Sequence, residues 1–160
     1  MTELRVGDQI VRYDRAATAA IYSQRANGFA ERHGCVSCRN FAAQRDVIYP
    51  ASFRSLLETL GIDPNKEDDN TEYGPVRDGC HLWGGWFYLV GEMVLWGEQN
   101  SQAPDGHEFE FFFTTTGPGA KAFPGRPLLG IEFTTLVQWI LPESPAAARG
   151  VRAPGNLSKS

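Results

Sequence analysis

The clearest hydrophobic pattern in the chain predicts a helix over residues 50–61. Apolar side chains recur there at the i, i+3, i+4, i+7 spacing that lines one helical face, at Phe53, Leu56, Leu57 and Leu60. Pro50 suits the first turn, and Gly61 suits the left-handed position that ends a helix. Ile62 is then placed for the apolar contact that closes such an end.

The first third of the chain predicts a strand followed by helices. Residues 4–13 alternate in part between β-forming and polar side chains, which indicates a strand. The Ala-rich run 15–25 indicates a helix, and Asp14 is placed to cap it. Gly28 and the polar stretch to Gly34 predict an interruption. A short helix with Phe41 turned inward is predicted over residues 38–47.

The second half of the chain predicts strands. Residues 81–96 are dense in aromatic and branched side chains without a helical period. The pair Gly84-Gly85 predicts a tight hairpin turn, and Gly91 predicts a bulge. Residues 108–115 alternate between two faces, which predicts a half-buried strand: Phe109, Phe111 and Phe113 inward, Glu108 and Glu110 outward.

Residues 128–134 predict a further strand, and residues 136–141 fit either a strand or a helix. The acidic stretch 63–79 has no apolar period and predicts a long surface loop. The expected fold is therefore a single α+β domain over residues 1–142, with a flexible tail over 143–160. It should contain a largely antiparallel sheet of about five or six strands and two or three helices packed on one side.

Composition and charge narrow the class of partner. The 160 residues are 42% hydrophobic and 21% charged, which is typical of one globular domain. Net charge is −4, and residues 61–110 hold eleven acidic against two basic side chains. Such a stretch repels phosphate backbones, and the arginines elsewhere are scattered, so we predict no nucleic-acid partner. The acidic stretch predicts a solvated face or a contact with a basic protein.

The expected location is the cytoplasm. The start of the chain lacks the basic and apolar segments of a leader, and no stretch approaches the roughly 18 apolar residues of a membrane span. Three cysteines are too few and odd in number for a disulfide framework, which favours a reducing compartment. Neither secretion nor a membrane partner is predicted.

The spacing of Cys35 and Cys38 is that of half a zinc site. The other half of a zinc site would have to come from isolated histidines or from the neighbouring pair Cys80-His81. The side chains of that pair would point apart on a strand, so they suit one ion poorly. We therefore predict no bound metal or cofactor. Three other interpretations of the two cysteines stay open: a zinc site, a dithiol redox pair, or two thiols that only pack in the core. The candidate metal ligands are Cys35, Cys38, Cys80, His81 and His33, with His107 as a further isolated histidine.

One face of the aromatic strand is a candidate ligand-contact surface, formed under strict alternation by Trp86, Tyr88, Glu92 and Trp96. A carboxylate among aromatic rings would have a raised pKa and could donate a proton or bind a cation. A bulge at Gly91 would instead turn Glu92 to solvent. Core packing is the other interpretation of the same stripe.

Four motifs resemble those of a family of small uncharacterised bacterial proteins. They are Cys-x-x-Cys-Arg-Asn-Phe at 35–41, Leu-Leu-x-x-Leu-Gly-Ile-Asp-Pro-x-Lys-Glu at 56–67, Glu-Tyr-Gly-Pro-Val at 72–76 and Gly-Gly-Trp-Phe-Tyr-Leu-Val-Gly at 84–91. The resemblance covers about residues 33–96, and a weaker similarity extends over residues 131–141. It implies the α+β fold and a bacterial cytoplasm, and it brings no activity. Family members often carry histidine at the position of Tyr88, so no mechanism that needs an imidazole there is implied.

The leading hypothesis for function is a non-catalytic cytoplasmic binding or protein-interaction domain. The aromatic sheet face or the acidic loop would supply its contact surface. The alternative is a metal-dependent or thiol-based enzyme centred on Cys35 and Cys38. No catalytic residue is assigned, because no recognisable catalytic set occurs in the chain.

Overall fold

The computed structural model describes residues 1–77, 79–98, 101–103, 108–118 and 125–145. Within these residues the helices are α1 (Arg15–Ser23), α2 (Phe29–His33), α3 (Val36–Ala42), α4 (Arg45–Ile48) and α5 (Ala51–Thr59). The strands are β1 (Thr2–Val6), β2 (Gln9–Tyr13), β3 (Asp69–Arg77), β4 (Cys80–Leu95), β5 (Phe109–Thr114) and β6 (Leu128–Gln138).

The six strands form one antiparallel sheet, which confirms the predicted α+β class. The order is β1-β2-β4-β6-β5, and β3 pairs with β4 beside this path. The described residues form five helices where two or three were expected. The difference comes mainly from α2 and α4, which are only five and four residues long.

Helix α5 ends as its sequence predicts. Gly61 adopts a left-handed φ of 87°, and its N–H donates to the carbonyl of Glu58 at 3.1 Å. The N–H of Ile62 donates to the carbonyl of Leu57 at 2.8 Å. These two bonds are the Schellman arrangement that satisfies the last carbonyls of a helix.

The predicted single strand over residues 4–13 is wrong, because the segment folds into the β1–β2 hairpin. Gly7 adopts a positive φ of 60° in the turn, a conformation that glycine reaches without strain. The capping prediction is confirmed: the carboxylate of Asp14 accepts the N–H of Ala17 at 2.9 Å at the start of α1. The predicted interruption between Gly28 and Gly34 contains α2.

The hairpin predicted at Gly84-Gly85 is also wrong, because β4 runs through both glycines without a break. Gly85 pairs with Phe133 of β6, and a β-carbon at Gly85 would collide with the Phe133 ring. The glycine therefore admits a ring from the neighbouring strand. The bulge predicted at Gly91 lies at Val94 instead, where the register between β2 and β4 shifts.

An aromatic core joins the helices to one face of the sheet. Phe53 of α5 lies with its ring centroid 4.7 Å from Phe109 and 5.0 Å from Phe111. Phe41 of α3 stacks on Trp83 of β4 at 5.2 Å. These rings exclude water and bring the start of α3 close to β3 and β4. The predicted facing of β5 is confirmed, since Phe109, Phe111 and Phe113 are buried and Glu108 and Glu110 are exposed.

The acidic stretch predicted as a surface loop contains β3 and two buried carboxylates. Glu67 is fully buried and lies 2.7 Å from Arg45, which also pairs with Glu31 at 2.5 Å. Asp68 pairs with Arg25 at 2.8 Å. Burial raises the pKa of both carboxyls, and the two arginines act in the opposite direction. Composition predicted that this acidic stretch is exposed to solvent, because composition cannot show that Arg45 and Arg25 pair with its carboxylates.

Asp68 and its neighbours fill a gap beside β4, between the part that pairs with β3 and the part that pairs with β2. The N–H of Tyr88 lies 3.0 Å from the Tyr22 hydroxyl and 3.2 Å from the Asp68 carboxylate, and both accept from it. The N–H of Val90 donates to the hydroxyl of Thr18 at 3.0 Å. Side chains thus replace a strand partner over this short edge.

The end of the chain is described as far as residue 145. The segment 136–141 fitted either a strand or a helix, and its first three residues belong to strand β6, which ends at Gln138. The carbonyl of Glu143 accepts the indole N–H of Trp139 at 2.6 Å. Of the predicted tail over residues 143–160, residues 143–145 are described and residues 146–160 lie outside the described part of the chain. No helix in the described part of the chain is long and apolar enough to cross a membrane.

Replacing Phe111 by alanine should destabilise the protein by about 3–5 kcal/mol, because the cavity left beside Phe53 cannot refill completely. The neighbouring change Glu110→Ala should have little effect, since Glu110 is exposed. Urea unfolding of the two variants provides the comparison. Greater damage from Glu110→Ala would show that the assigned facing of β5 is wrong.

Replacing Arg45 by methionine should cost about 3–5 kcal/mol in the free energy of unfolding, because Glu67 would remain buried without its cation. Arg12→Met is the matched control, since Arg12 pairs with Glu3 and Glu92 at the surface. We expect little change for the control. Equal stability of the two variants in urea would show that the buried pair does not support the fold.

Candidate functional site

Three candidate ligands from the sequence converge where α2 ends and α3 begins. His33 is the last residue of α2, and Gly34 follows with a left-handed φ of 69°. Cys35 is extended and caps α3, whose first turn carries Cys38. The chain therefore reverses within two residues, and this reversal brings the histidine against both cysteines. We call His33, Cys35 and Cys38 the His-Cys-Cys cluster.

The distances within the His-Cys-Cys cluster are short. His33 Nδ1 lies 3.3 Å from Cys38 Sγ, and the three possible ligand atoms all lie within 4.8 Å of one another. Bond lengths of about 2.0 Å to nitrogen and 2.3 Å to sulfur place two tetrahedral zinc ligands about 3.5 Å apart. The cluster therefore has nearly the dimensions of three corners of a zinc site.

The two thiols have different surroundings. Cys35 is partly exposed, and its Sγ accepts the N–H of Cys38 at 3.3 Å. Cys38 is buried, and its Sγ lies 3.9 Å from the side-chain oxygen of Asn70 on β3. Burial, followed by the interaction with Cys35, raises the pKa of Cys38 to about 12. Cys38 is therefore a neutral thiol at pH 7 unless a cation lies beside it.

A cavity of about 260 Å³ opens beside the cluster. Asn70 and Glu72 of β3 and Trp83 of β4 line it together with the three cluster residues. The Asn70 amide also donates to Glu67 at 3.2 Å, and Glu67 accepts the N–H of Ala30 in α2 at 2.9 Å. The buried carboxylate thus fixes the cavity wall on β3 relative to the helix that carries His33.

The remaining metal candidates lie outside the cluster. His81 Nδ1 is 2.5 Å from the carboxylate of Glu72, a residue of the cavity wall. Cys80 is buried at the start of β4 and does not belong to the group. His107 lies outside the described residues. Asn70, Glu72 and Trp83 were not singled out from the sequence, because the pairing of β3 with β4 and the packing of α3 on Trp83 bring them to the cysteines.

The proposed aromatic contact surface divides into two parts. Trp86 is half-buried and Tyr88 is buried, with its hydroxyl against the carbonyl of Pro118. Glu92 is exposed and accepts a hydrogen bond from Arg12 at 3.1 Å, while Trp96 lies exposed beyond the end of β4.

Glu132 of β6 is a carboxylate with aromatic side chains on both neighbouring strands. It pairs directly with Trp86, and Phe112 of β5 is its partner on the other side. Burial raises the pKa of Glu132, although the hydrogen bond from Trp86 acts in the opposite direction. Sequence analysis missed this residue because its aromatic neighbours come from two other strands.

The fold and the cluster together define the class of this molecule as a single-sheet α+β protein with a His-Cys-Cys cluster beside a small cavity. Comparison of the chain with protein-family models, curated proteins and solved structures finds no match. The resemblance to small bacterial proteins stays a prediction from the sequence motifs. Functional inference therefore depends on the geometry of the site.

We expect iodoacetamide at pH 8 to alkylate Cys35 at least about tenfold faster than Cys38 in protein treated with a chelator. Cys38 is buried and its raised pKa leaves little thiolate, which is the reactive form. Peptide mapping by mass spectrometry measures both rates. In urea the two rates should converge, and equal rates in the folded protein would contradict the burial of Cys38.

Proposed function

We propose that the protein is a metal-binding domain in which His33, Cys35 and Cys38 hold a thiophilic divalent ion, with zinc as the first candidate. The observation that carries this proposal is the convergence of one imidazole and two thiols within 4.8 Å. Thiolate and imidazole are the ligand types that zinc prefers. This geometry favours the metal-dependent alternative over the interaction domain that the sequence suggested first.

The electrostatics of Cys38 make its ionisation depend on a bound cation. Burial disfavours its thiolate, and its Sγ lies 3.3 Å from Nδ1 of His33, the imidazole proposed as a ligand of the same ion. A divalent cation stabilises thiolates strongly enough to remove their protons. Binding of the ion would therefore convert a buried neutral thiol into a ligand and release a proton.

We further propose that the protein works in the cytoplasm. The described chain contains three cysteines and none of them forms a disulfide. A reducing compartment keeps such thiols available for metal.

A dithiol-disulfide exchange protein is the second candidate. The observation that favours it is the hydrogen bond from the Cys38 N–H to Cys35 Sγ, which holds the partly exposed thiol beside the buried one. In such exchange, the thiolate of Cys35 attacks a partner disulfide, and Cys38 then displaces the partner. The two cysteines end oxidised to a disulfide, and the partner is reduced to two thiols.

Protein binding through the aromatic face is the third candidate. On the sheet face that carries Trp86, Tyr73 and Leu82 are also exposed. Glu67 and Asp68 do not contribute to such a surface, since both are buried against arginines. A chain without metal and without exchangeable thiols would make this candidate the preferred one.

We expect apo protein refolded with Zn²⁺ to retain about one zinc per chain after dialysis. Cys38→Ser and His33→Ala should each weaken zinc binding by at least about 100-fold, because loss of a residue behind a ligand already costs 10–100-fold. Cys80→Ala is the matched control, since Cys80 lies outside the cluster. Elemental analysis and competition with a zinc chelator measure the stoichiometry and affinity.

Two outcomes would contradict the metal proposal. The first is a chain that retains no zinc although its thiols are fully reduced. The second is zinc binding that survives Cys38→Ser and is lost in Cys80→Ala, since this would place the ion elsewhere. If the metal-free chain instead forms a Cys35–Cys38 disulfide in a glutathione redox buffer, the dithiol candidate replaces it.

A further inference from the structure

The sheet face opposite the helices carries aromatic side chains on both sides of one carboxylate. Alternation along β4 turns Trp83 toward Phe41 of α3 and turns Trp86 to the other face. Glu132 of β6 pairs directly with Trp86 on one side and with Phe112 of β5 on the other. Side chains at such paired positions have β-carbons about 4.5–5.5 Å apart, so both rings flank the carboxylate.

Tyr73 of β3 adds a third ring on this face. A β-carbon on Gly84 would lie 2.8 Å from the ring of Tyr73, so that ring covers β4 two residues before Trp86. Burial, followed by the charge of Glu132, raises the pKa of the Tyr73 hydroxyl, so the carboxylate lies within electrostatic reach of this ring. We call Tyr73, Trp86, Phe112 and Glu132 the aromatic-acid group.

The aromatic-acid group is held in place and remains partly exposed. The indole N–H of Trp86 donates a hydrogen bond to Glu132. A β-carbon on Gly117 would lie 3.2 Å from Trp86 Cδ1, so the chain also packs against one edge of the ring. Trp86, Phe112 and Glu132 are half-buried, and Tyr73 is 52% exposed. The group therefore offers accessible ring surface and an accessible carboxylate to a ligand.

The charge of this face favours a cation. The carboxylates that β3, β5 and β6 turn outward are Asp69, Glu108, Glu110 and Glu132. Arg77 is the one lysine or arginine within β3, β4, β5 and β6, strands that the structure describes throughout, and it pairs with Glu108 at 2.7 Å. A cation beside Glu132 would stabilise its ionised form, which burial disfavours. The faces of aromatic rings also attract cations.

A guanidinium is the cation that fits this arrangement. It is planar, so one edge can donate two N–H groups to the Glu132 carboxylate while one face lies against an aromatic ring. Glu110 lies diagonally across from Glu132 and offers a second carboxylate to the remaining N–H groups. A quaternary ammonium has no N–H to donate, and the compact ammonium of lysine is more strongly hydrated. Arginine therefore gains most from a carboxylate beside several rings.

An open sheet face suits a partner protein better than a free small molecule. Sites for small molecules are concave and bury most of the ligand surface. The aromatic-acid group instead lies on the outer surface of the sheet, where the exposed Leu82 extends the apolar area. Arg, Trp and Tyr are the residues that contribute most at protein interfaces. The residues beside an arginine in a partner chain would cover the rest of this apolar area.

We propose that the aromatic-acid group binds an arginine side chain of a partner protein, whose guanidinium pairs with Glu132 and lies against the rings of Trp86 and Tyr73. The inference gives the third candidate function a partner of defined chemistry. It does not rest on the metal site, because the His-Cys-Cys cluster lies on the other face of the sheet, beside Trp83.

The test uses the full-length chain as purified, labelled with ¹⁵N, and follows the indole N–H signal of Trp86 by NMR. Its loss in Trp86→Phe assigns the signal. The probe is the tripeptide acetyl-Gly-Arg-Gly-amide. We expect a saturable shift, because the guanidinium would bind the carboxylate that accepts the Trp86 N–H. A chain that holds zinc and shows no response to the peptide overturns this inference alone.

Three matched peptides replace the arginine by citrulline, lysine or trimethyl-lysine. Citrulline keeps the shape of arginine without its charge, so its peptide should not saturate the signal. The lysine and trimethyl-lysine peptides should bind at least about threefold more weakly, since neither makes a bidentate pair with Glu132. Equal binding of the citrulline peptide overturns the role of charge. Equal or tighter binding of either lysine peptide overturns the choice of a guanidinium.

Variants of the protein locate the binding site. Glu132→Gln removes the charge and should weaken binding of the arginine peptide about fivefold. Glu92→Gln is the matched control and should bind as wild type, because Glu92 is an exposed carboxylate that pairs with Arg12 at another place on the sheet. Equal affinity in Glu132→Gln and wild type overturns the inference.

A second variant keeps the test decisive if Glu132→Gln does not fold, which the dispersion of the amide spectrum shows. Tyr73→Ser removes an exposed ring and should weaken binding about threefold in a folded chain. Unchanged affinity in Tyr73→Ser would overturn the contact of the guanidinium with this ring.

Discussion

The buried carboxylates of Glu67 and Asp68 are the constraint on which the other contacts of the structure depend. Moving two adjacent charges out of water is costly, and the cost is tolerable only where cations and donors surround them. Arg45 meets Glu67, and Arg25 meets Asp68. Because the two carboxylates belong to consecutive residues, one short segment of the chain is bonded to two separate regions of the fold. Glu67 joins α2 and α4 to β3, while Asp68 joins α1 to β4.

The contacts of Glu67 also determine the geometry of the His-Cys-Cys cluster. Glu67 accepts the N–H of Ala30 in α2, three residues before His33 ends that helix, and it also holds Asn70 beside Cys38. The three side chains proposed as ligands are therefore already together before any ion binds. A preorganised site loses less conformational entropy on binding, so more of the metal-ligand energy appears as affinity.

Sequence patterns predicted the elements whose causes are local and missed those whose causes are distant. The periodicity and caps of α5 and the alternation of β5 lie within each segment, so both were predictable. Gly85 looked like a turn residue, yet it is a strand position that admits the ring of Phe133. Asp68 looked solvated because Arg25 lies 43 positions earlier in the sequence. The Cys-x-x-Cys spacing was visible, whereas Trp83 reaches the site through the packing of Phe41 in α3 on β4.

The side-chain contacts along β4 also bear on the solubility of partly unfolded chains. A strand edge with free N–H and C=O groups is a template for pairing with another molecule. The hydroxyls of Tyr22 and Thr18 cover such groups at Tyr88 and Val90. If α1 detached while the sheet remained folded, this edge would become available to a strand from a second chain. Helix α1 therefore prevents intermolecular β-pairing at the centre of β4, the longest strand.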